Sequence, residues 1–250
     1  MNIEEQLDYV LVPLGLVIML VYHLWLVYNI VYHPRKTVIG INSINTKIWV
    51  HTMMEDTVKN GVCAVQTLRN NMMASTHLAS TSIMFISVIT VLMTNTSTGI
   101  DHGLSLYGNK RELGLSIKLF SILACIFLAL LLNIQSFRYY SDASILVNMV
   151  GTKSCSSSSD DDDHFCSSSS TANKKYIWMT VNMGSYFWSL GLRSFYFSFP
   201  IFMWLFGPIP MFLCSILLVI MLYFLDIYLD PGTSNNNIGG EVNDAEKGSD

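Results

Sequence analysis

Charged residues are scarce in this chain of 250 residues, at 13% against about 25% in a typical soluble domain. Basic residues are not in excess, because 14 Lys and Arg face 18 Asp and Glu, so the basic surface typical of nucleic-acid binding is missing. The five cysteines are scattered and odd in number, which does not make a disulfide framework. The composition excludes an ordinary soluble globule, and we expect no nucleic-acid partner.

Recognisable catalytic motifs are also absent. The chain has no phosphate-binding glycine loop, no dinucleotide-binding glycine motif, no zinc-protease helix motif and no nucleophile elbow. Four consecutive aspartates precede His164 between Cys155 and Cys166, but this spacing matches neither a zinc module nor a calcium loop. We therefore expect a protein that is not an enzyme and that holds no metal or other cofactor.

Long apolar runs are what the sequence does contain. They cover about residues 9–32, 76–94, 116–135 and 200–228. Each is long enough to cross a bilayer as a helix of about 1.5 Å per residue, and backbone groups in lipid must pair within the segment. The prediction is an all-α fold: one polytopic transmembrane helical bundle over residues 1–230 with four spans. Because no proline follows until after the second span, a helix starting near Ile44 should extend that span into the cytoplasm.

The distribution of Lys and Arg predicts the orientation. The first and third connections hold ten of these residues, against three in the N-terminal segment, the second connection and the C-terminal tail. Since basic loops stay in the cytoplasm, the N-terminus and the C-terminus are both predicted to be non-cytoplasmic. The membrane is the plasma membrane or an endomembrane.

The aromatic-rich stretch over residues 177–206 leaves an alternative open. Aromatic rings favour the headgroup level, and Arg193 in the middle would cost about 2.5–3.5 kcal/mol to insert, so we predict a helix lying in the interface. The alternative is a fifth span that turns at residues 207–210, which would move the C-terminus into the cytoplasm.

Two segments have a composition that cannot bury a core. Residues 151–175 form a Ser/Asp-rich cytoplasmic loop and residues 231–250 a polar tail, both predicted to be disordered. Ser157, Ser158 and Ser159 each have Asp three residues later, the arrangement that acidic-directed kinases prefer, so they are candidate phosphorylation sites. Asn95 begins a glycosylation sequon on the predicted outer side.

Polar residues at membrane depth are the other candidates. His23 lies within the first span, where it is expected to hydrogen-bond a neighbouring helix or to contact a proton or solute. A set of basic and amide side chains falls near the cytoplasmic boundary: Gln66, Arg69, Asn70, Asn71, Arg138 and Arg193. They form either an anion or headgroup pocket, or ordinary positive-inside anchors with interhelical hydrogen bonds.

Several sequence segments resemble one known family. They are YHLW at 22–25, TVIGIN at 37–42, AVQTLRNNMMAST at 64–76, QSFRY at 135–139, and the stretch from GLR at 191 to FGPIPM ending at 211. Together they resemble the plant and bacterial membrane family called domain of unknown function 599, over about residues 5–230. The resemblance implies a multi-pass helical fold, and it supplies no activity and no site residues. The low-complexity segments added to this chain favour a plant origin.

Two functional hypotheses follow. The first is a non-enzymatic regulatory or scaffolding membrane component, whose partners are the bilayer and a cytoplasmic protein. The second is a homo-oligomeric channel or transporter for a small anion or metabolite. A transporter should place Gln66, Arg69 and Asn70 against a water-filled cavity, whereas a scaffold should have them hydrogen-bonded or facing headgroups.

Overall fold

Six α-helices make up the part of the chain that the computed structural model describes, residues 3–98, 110–156 and 163–227. They are α1 (Ile3–Tyr32), α2 (Val38–Met53), α3 (Thr57–Thr98), α4 (Lys110–Ser156), α5 (Asp163–Met203) and α6 (Pro208–Asp226). A 3₁₀ turn over Pro34–Lys36 joins α1 to α2, and Thr37 caps α2 by accepting a hydrogen bond from the Gly40 amide. The all-α prediction is confirmed.

Four segments are long and apolar enough to cross a membrane: Asp8–Tyr32, Lys59–Thr94, Gly114–Met149 and Pro208–Asp226. Large apolar side chains cover their outward faces, and Phe224 is 76% exposed. Soluble proteins rarely expose such continuous apolar surface. The protein is therefore an integral membrane protein.

Helix α4 is the centre of a three-helix bundle. Its buried residues recur in alternating steps of three and four, at Leu119, Ile122, Ile126, Ala129, Asn133, Ser136, Tyr140, Ala143 and Val147. This is the heptad spacing of a left-handed coiled coil. Buried residues seven apart face α4 from both sides: Leu68, Ser75, Ser82 and Ile89 on α3, and Ile177, Gly184, Gly191 and Ser198 on α5. Both neighbours run antiparallel to α4.

Helices α1 and α6 pack against each other beside this bundle and run parallel. At one end the indole of Trp204, just before α6, donates to Asp8 of α1, while further along Gly15 packs on Ser215. At the other end a backbone bridge joins Thr37 to Ile227. We call these two ends of the molecule the Asp8 end and the Thr37 end.

The aromatic helix does not lie across the bundle. Ser136 of α4 contacts Gly184 of α5, and Lys118 at the start of the α4 span reaches Trp204 at the end of α5. Residues 184–203 therefore run alongside the α4 span, an arrangement that favours the alternative of a fifth span over a helix lying in the interface. The physical reason is that Arg193, which argued against insertion, has a carboxylate partner in Asp226 of α6.

The placement of α5 also determines at which end of the bundle α6 finishes. α1 starts at the Asp8 end and α6 finishes at the Thr37 end, so the start of α1 and the end of α6 lie at opposite ends of the bundle. This geometry favours an odd number of crossings between residues 8 and 227, while four of the described helices are long and apolar enough to be candidate spans, as predicted. The predicted fourth span, residues 200–228, is divided between two helices: α5 ends at Met203, Gly207 turns the chain at a φ of 144°, and α6 begins at Pro208.

Beyond the Thr37 end, helices α2 to α5 continue as a compact extension. Its core is built from Val50, Met54, Ala64, Leu68, Tyr140, Ala143, Val147, Ile177 and Val181. The single long helix predicted from Ile44 onward is interrupted at residues 54–56, where the Asp56 carboxylate accepts from the Lys59 amide and starts α3. The extension of the second span is present, but it begins at Thr57.

Candidate functional site

A charged pair is buried between α1, α5 and α6. The guanidinium of Arg193 hydrogen-bonds the Asp226 carboxylate through both terminal nitrogens: Nη1 donates to Oδ2 at 2.8 Å, and Nη2 donates to Oδ1. The Tyr22 hydroxyl donates to the same Oδ2 at 2.7 Å. Only 12% of the Arg193 side chain and 8% of the Asp226 side chain are accessible. We call these three residues the charge clamp.

The charge clamp satisfies its own charges. Fork-to-carboxylate pairing is the strongest arrangement that an arginine makes, and the tyrosine adds a third donor to the same carboxylate. A buried charge without such partners would cost several kcal/mol. Arg193 is therefore neutralised inside the protein, and it is not free to bind an anion from either side.

Lys118, Trp204 and Asp8 form a second polar group at the Asp8 end. The Lys118 ammonium donates to the Trp204 carbonyl at 3.1 Å and lies 5.0 Å from the centre of the indole ring. The Trp204 indole N–H donates to Asp8 at 3.3 Å. This group ties α1 and α4 to the turn between α5 and α6, as interfacial anchors do.

Small residues bring α3, α4 and α5 into close contact near the Thr37 end. Ser75 and Ser136 share a hydrogen bond of 3.1 Å between α3 and α4, and Ser136 donates to the Gly184 carbonyl of α5 at 2.8 Å. A Cβ at Gly191 would lie 2.7 Å from the Asn133 amide nitrogen. These contacts hold the three helices against each other, and they explain Ser75, one of the hydroxyl residues of the second span, by packing.

The predicted cluster of basic and amide residues is not brought together. Gln66, Arg69 and Asn70 are exposed on the outer surface of α3, and Arg138 is exposed on α4. Arg193 lies deeper in the bundle, near the level of Asn133, and pairs with Asp226. Asn71 lines a cavity.

That cavity is a polar pocket of about 210 Å³ at the junction of four helices. Its lining consists of Asn42 and Thr46 of α2, Asn71 and Ala74 of α3, Tyr140 of α4, and Val181, Ser185 and Trp188 of α5. The Asn42 amide donates to Ser185 at 3.4 Å, a long hydrogen bond, and the Tyr140 hydroxyl interacts with the same serine. The pocket therefore holds hydroxyls and amides that are only weakly engaged.

His23 differs from its prediction. Its Nδ1 bonds the Met19 carbonyl of its own helix at 2.7 Å, and since a carbonyl only accepts, Nδ1 is the protonated nitrogen. The ring meets Phe197 of α5 edge to face at 6.2 Å between centroids. Its contact with the neighbouring helix is therefore aromatic, where a hydrogen bond was expected.

The remaining candidates fall outside what the structure describes. Ser157, Ser158 and Ser159 lie beyond the described residues. Asn95 is in the last turns of α3, at the Asp8 end, but its side chain is not among those described. Within the described part of the chain, no three His, Cys, Asp or Glu side chains come together.

Sequence reasoning missed two members of the charge clamp, Asp226 and Tyr22. Asp226 carried a usable signal, because a lone carboxylate at the end of an apolar run needs a cation partner in lipid. Arg193 was the one arginine within an aromatic, membrane-like stretch. Pairing the two would have argued for the fifth crossing. The polar pocket gave no such signal, because its lining comes from four separate segments.

Comparison with known proteins identifies a family without an activity. The family model described as "Protein of unknown function, DUF599" matches residues 10–231, which confirms the resemblance noted in the sequence. No curated protein matches this chain, and no solved structure does. The arrangement of side chains is therefore the basis for any functional conclusion.

Proposed function

The chain belongs to the DUF599 family, whose function is unknown, and we propose from the arrangement of its side chains that it is a non-enzymatic membrane component of regulatory or scaffolding type. In this proposal α1 and α3 to α6 hold the protein in a plasma membrane or endomembrane. The extension beyond the Thr37 end presents a surface to a cytoplasmic partner protein. The lack of recognisable catalytic motifs supports the non-enzymatic assignment.

The placement of Gln66, Arg69 and Asn70 carries the proposal. All three face outward from α3, next to Val62, which is 81% exposed. A solute pathway within one chain would need such polar groups to face an internal cavity. Arg193, which lies deep among the spans, is neutralised by Asp226. The side chains of Gln66, Arg69 and Asn70 are thus positioned to contact lipid headgroups or a partner protein.

The charge distribution supports a cytoplasmic position for the extension. Arg35, Lys36 and Lys47 follow α1 at the Thr37 end, and Lys174 and Lys175 lead α5 into the same end. The Asp8 end has Lys118, with Lys110 and Arg111 earlier in α4. Since basic residues stay in the cytoplasm, the Thr37 end faces inward and the start of α1 faces outward.

Site-specific photocrosslinking tests the partner surface. A benzophenone amino acid placed at Val62 should give an adduct with one cytoplasmic protein in native membranes. Arg69→Glu should abolish the adduct, because it reverses the charge two turns away on the same face. The same photoreactive group at Phe224, which is exposed toward lipid, is the matched control and should label lipid only.

Two outcomes would contradict this proposal. Adducts from Val62 that contain only a second copy of the chain would favour an oligomer. Adducts that are unchanged by Arg69→Glu, or identical to those at Phe224, would show that the surface recognises no specific partner.

A homo-oligomeric channel is the second candidate, and one observation favours it. Along α3, Thr76, Ser80, Ser87 and Thr90 are exposed in the membrane layer, in line with Gln66 and Arg69 at steps of three, four or seven. Small hydroxyl residues on a lipid-facing surface are typical of contacts between transmembrane helices. Several copies arranged around this face would enclose a polar path for a small anion or metabolite.

Native mass spectrometry from nanodiscs separates the two candidates. The channel predicts a closed oligomer, together with anion flux in proteoliposomes that Arg69→Gln reduces. The scaffold predicts a monomer or dimer without flux. Flux that survives Arg69→Gln in a proven oligomer would count against this face as the pathway.

A further inference from the structure

The polar pocket between α2, α3, α4 and α5 has the features of a small-molecule binding site. Its volume of about 210 Å³ corresponds to roughly seven water molecules at liquid density. Drug-sized ligands occupy about 300–1,000 Å³, so this pocket suits a single small ring. Four helices contribute to it, which makes the shape depend on the tertiary fold.

The lining is polar but uncharged. Asn42, Thr46, Asn71, Tyr140 and Ser185 supply amides and hydroxyls, and the residues lining the pocket include no Asp, Glu, Lys, Arg or His. Removing an ion from water without a counter-charge is strongly unfavourable. The pocket therefore selects a neutral ligand with several hydrogen-bonding groups.

The lining groups have spare hydrogen-bonding capacity. The Asn71 side chain is half-buried and lines the pocket, where its amide can both donate and accept. Thr46 donates to the Asn42 carbonyl at 2.8 Å, which leaves its oxygen able to accept. A ligand that both donates and accepts would satisfy groups that the protein leaves open.

Two aromatic side chains, Tyr140 and Trp188, complete the pocket. Aromatic rings provide apolar faces next to polar edges. The C–H faces of a sugar ring pack on such surfaces while its hydroxyls bond amides and hydroxyls at the rim. This combination distinguishes a polyhydroxylated ring from a simple amide or alcohol.

We infer that the polar pocket binds a neutral polyhydroxylated ring of monosaccharide size, presented either as the headgroup of a glycolipid or as a free sugar. Both sources fit its place beside the Thr37 end, where Asn42 lies five residues after the bridge residue Thr37. The inference stands independently of the proposed partner surface, because none of its lining residues is Val62 or Arg69.

The test uses the full-length protein in phosphatidylcholine nanodiscs, prepared without sugar-based detergents. The lipid probe is monoglucosyl diacylglycerol, followed by native mass spectrometry. The soluble probe is methyl β-glucoside, followed by calorimetric titration. Glucose 6-phosphate is the charged control and should bind at least about tenfold more weakly than methyl β-glucoside.

Neighbouring amides on α3 provide the matched variants. Asn71→Leu removes the pocket amide and should weaken binding of the active probe about tenfold. Asn70→Leu makes the same change on the exposed face and should leave binding unchanged. Ser185→Ala, a smaller change, should weaken binding by a few-fold and serves if Asn71→Leu fails to fold.

Each outcome is decisive. Retention of the glycolipid that is sensitive to Asn71→Leu supports a lipid source, and binding of methyl β-glucoside with the same sensitivity supports a free sugar. The inference is overturned if neither probe binds, if glucose 6-phosphate binds as well as the neutral glucoside, or if the Asn71 and Asn70 variants behave alike.

Discussion

Removing the negative partner of the charge clamp should destabilise the protein more than any other single change at this site. Asp226→Asn keeps the size of the side chain but leaves Arg193 without its carboxylate in a position where 12% of its side chain is accessible. Breaking one half of a buried ion pair costs about 3–5 kcal/mol, because a charge is left buried and unpaired. Arginine cannot escape this cost, since its guanidinium stays protonated.

The reverse change should be milder, and removing both partners milder still. Arg193→Met leaves a carboxylate that can be neutralised by a proton and that still accepts from Tyr22. In the double variant Arg193→Met/Asp226→Leu no charge remains, and replacing a whole buried pair by apolar residues is often neutral or stabilising. The predicted order of stability is therefore the double variant, then Arg193→Met, then Asp226→Asn.

Reversible unfolding in mixed micelles titrated with a denaturing detergent measures this order. The single variant Asp226→Leu, measured beside Arg193→Met and the double variant, closes a double-mutant cycle, and the coupling free energy between the two residues should reach about 2–3 kcal/mol. Stability of Asp226→Asn within about 1 kcal/mol of the wild type would refute the reasoning, because that is the ordinary effect of an arbitrary substitution. A double variant less stable than Asp226→Asn would refute it equally.

Three further predictions concern packing and capping, and each is measured by the same unfolding assay. Gly191→Ala should destabilise the protein by about 1–3 kcal/mol, because the added Cβ would meet the Asn133 amide. The control Gly114→Ala has open space around it and should be neutral or slightly stabilising. Equal effects of the two changes would contradict the close approach of α4 and α5. Ser136→Ala should cost about 1 kcal/mol of stability, because it removes the hydrogen bonds to Ser75 and Gly184. The control Ser121→Ala loses only a hydrogen bond within its own helix and should cost less. The opposite order would show that Ser136 does not join the three helices. Thr37→Ala should cost about 1 kcal/mol of stability, because α2 loses its N-terminal cap. Thr52→Ala, on the same helix, is the control. A neutral effect of Thr37→Ala would show that this cap does not stabilise the protein.

The helical segments were predictable because their physical causes are local. Four apolar runs of membrane length appear directly in the sequence. Each of the first three lies within one helix, whereas the fourth, at residues 200–228, is divided between α5 and α6. The small residues of α3, α4 and α5 also follow a repeat that is visible once the helices are known. The aromatic stretch was harder to place, because its one arginine was considered without its partner, at the cost of an unpaired charge.

The pairing of Arg193 shows what a single segment cannot reveal. The partner Asp226 is 33 residues further on, in a different helix, and only the fold brings the two together. The polar pocket has the same character, since Asn42, Asn71, Tyr140 and Ser185 share no local pattern. Contacts distant in sequence decide both features, and composition or periodicity does not encode them.

The helix predicted to start near Ile44 begins earlier in the structure. Thr37 caps α2, which starts at Val38, because Pro34 fixes the preceding 3₁₀ turn. Asp56 divides the predicted long helix, since its carboxylate caps the first turn of α3. Helix ends depend on competition between nearby signals, which the tertiary contacts settle.

The central claim is that the charge clamp lets α5 cross the layer, which puts the start of α1 and the end of α6 on opposite sides. The most direct test attaches reporter tags to Met1 and Asp250 of the full chain and measures the accessibility of each in intact and opened membrane vesicles. The account predicts that the N-terminal tag is reached only from the non-cytoplasmic side and the C-terminal tag only from the cytoplasmic side. Two tags accessible from the same side would contradict it.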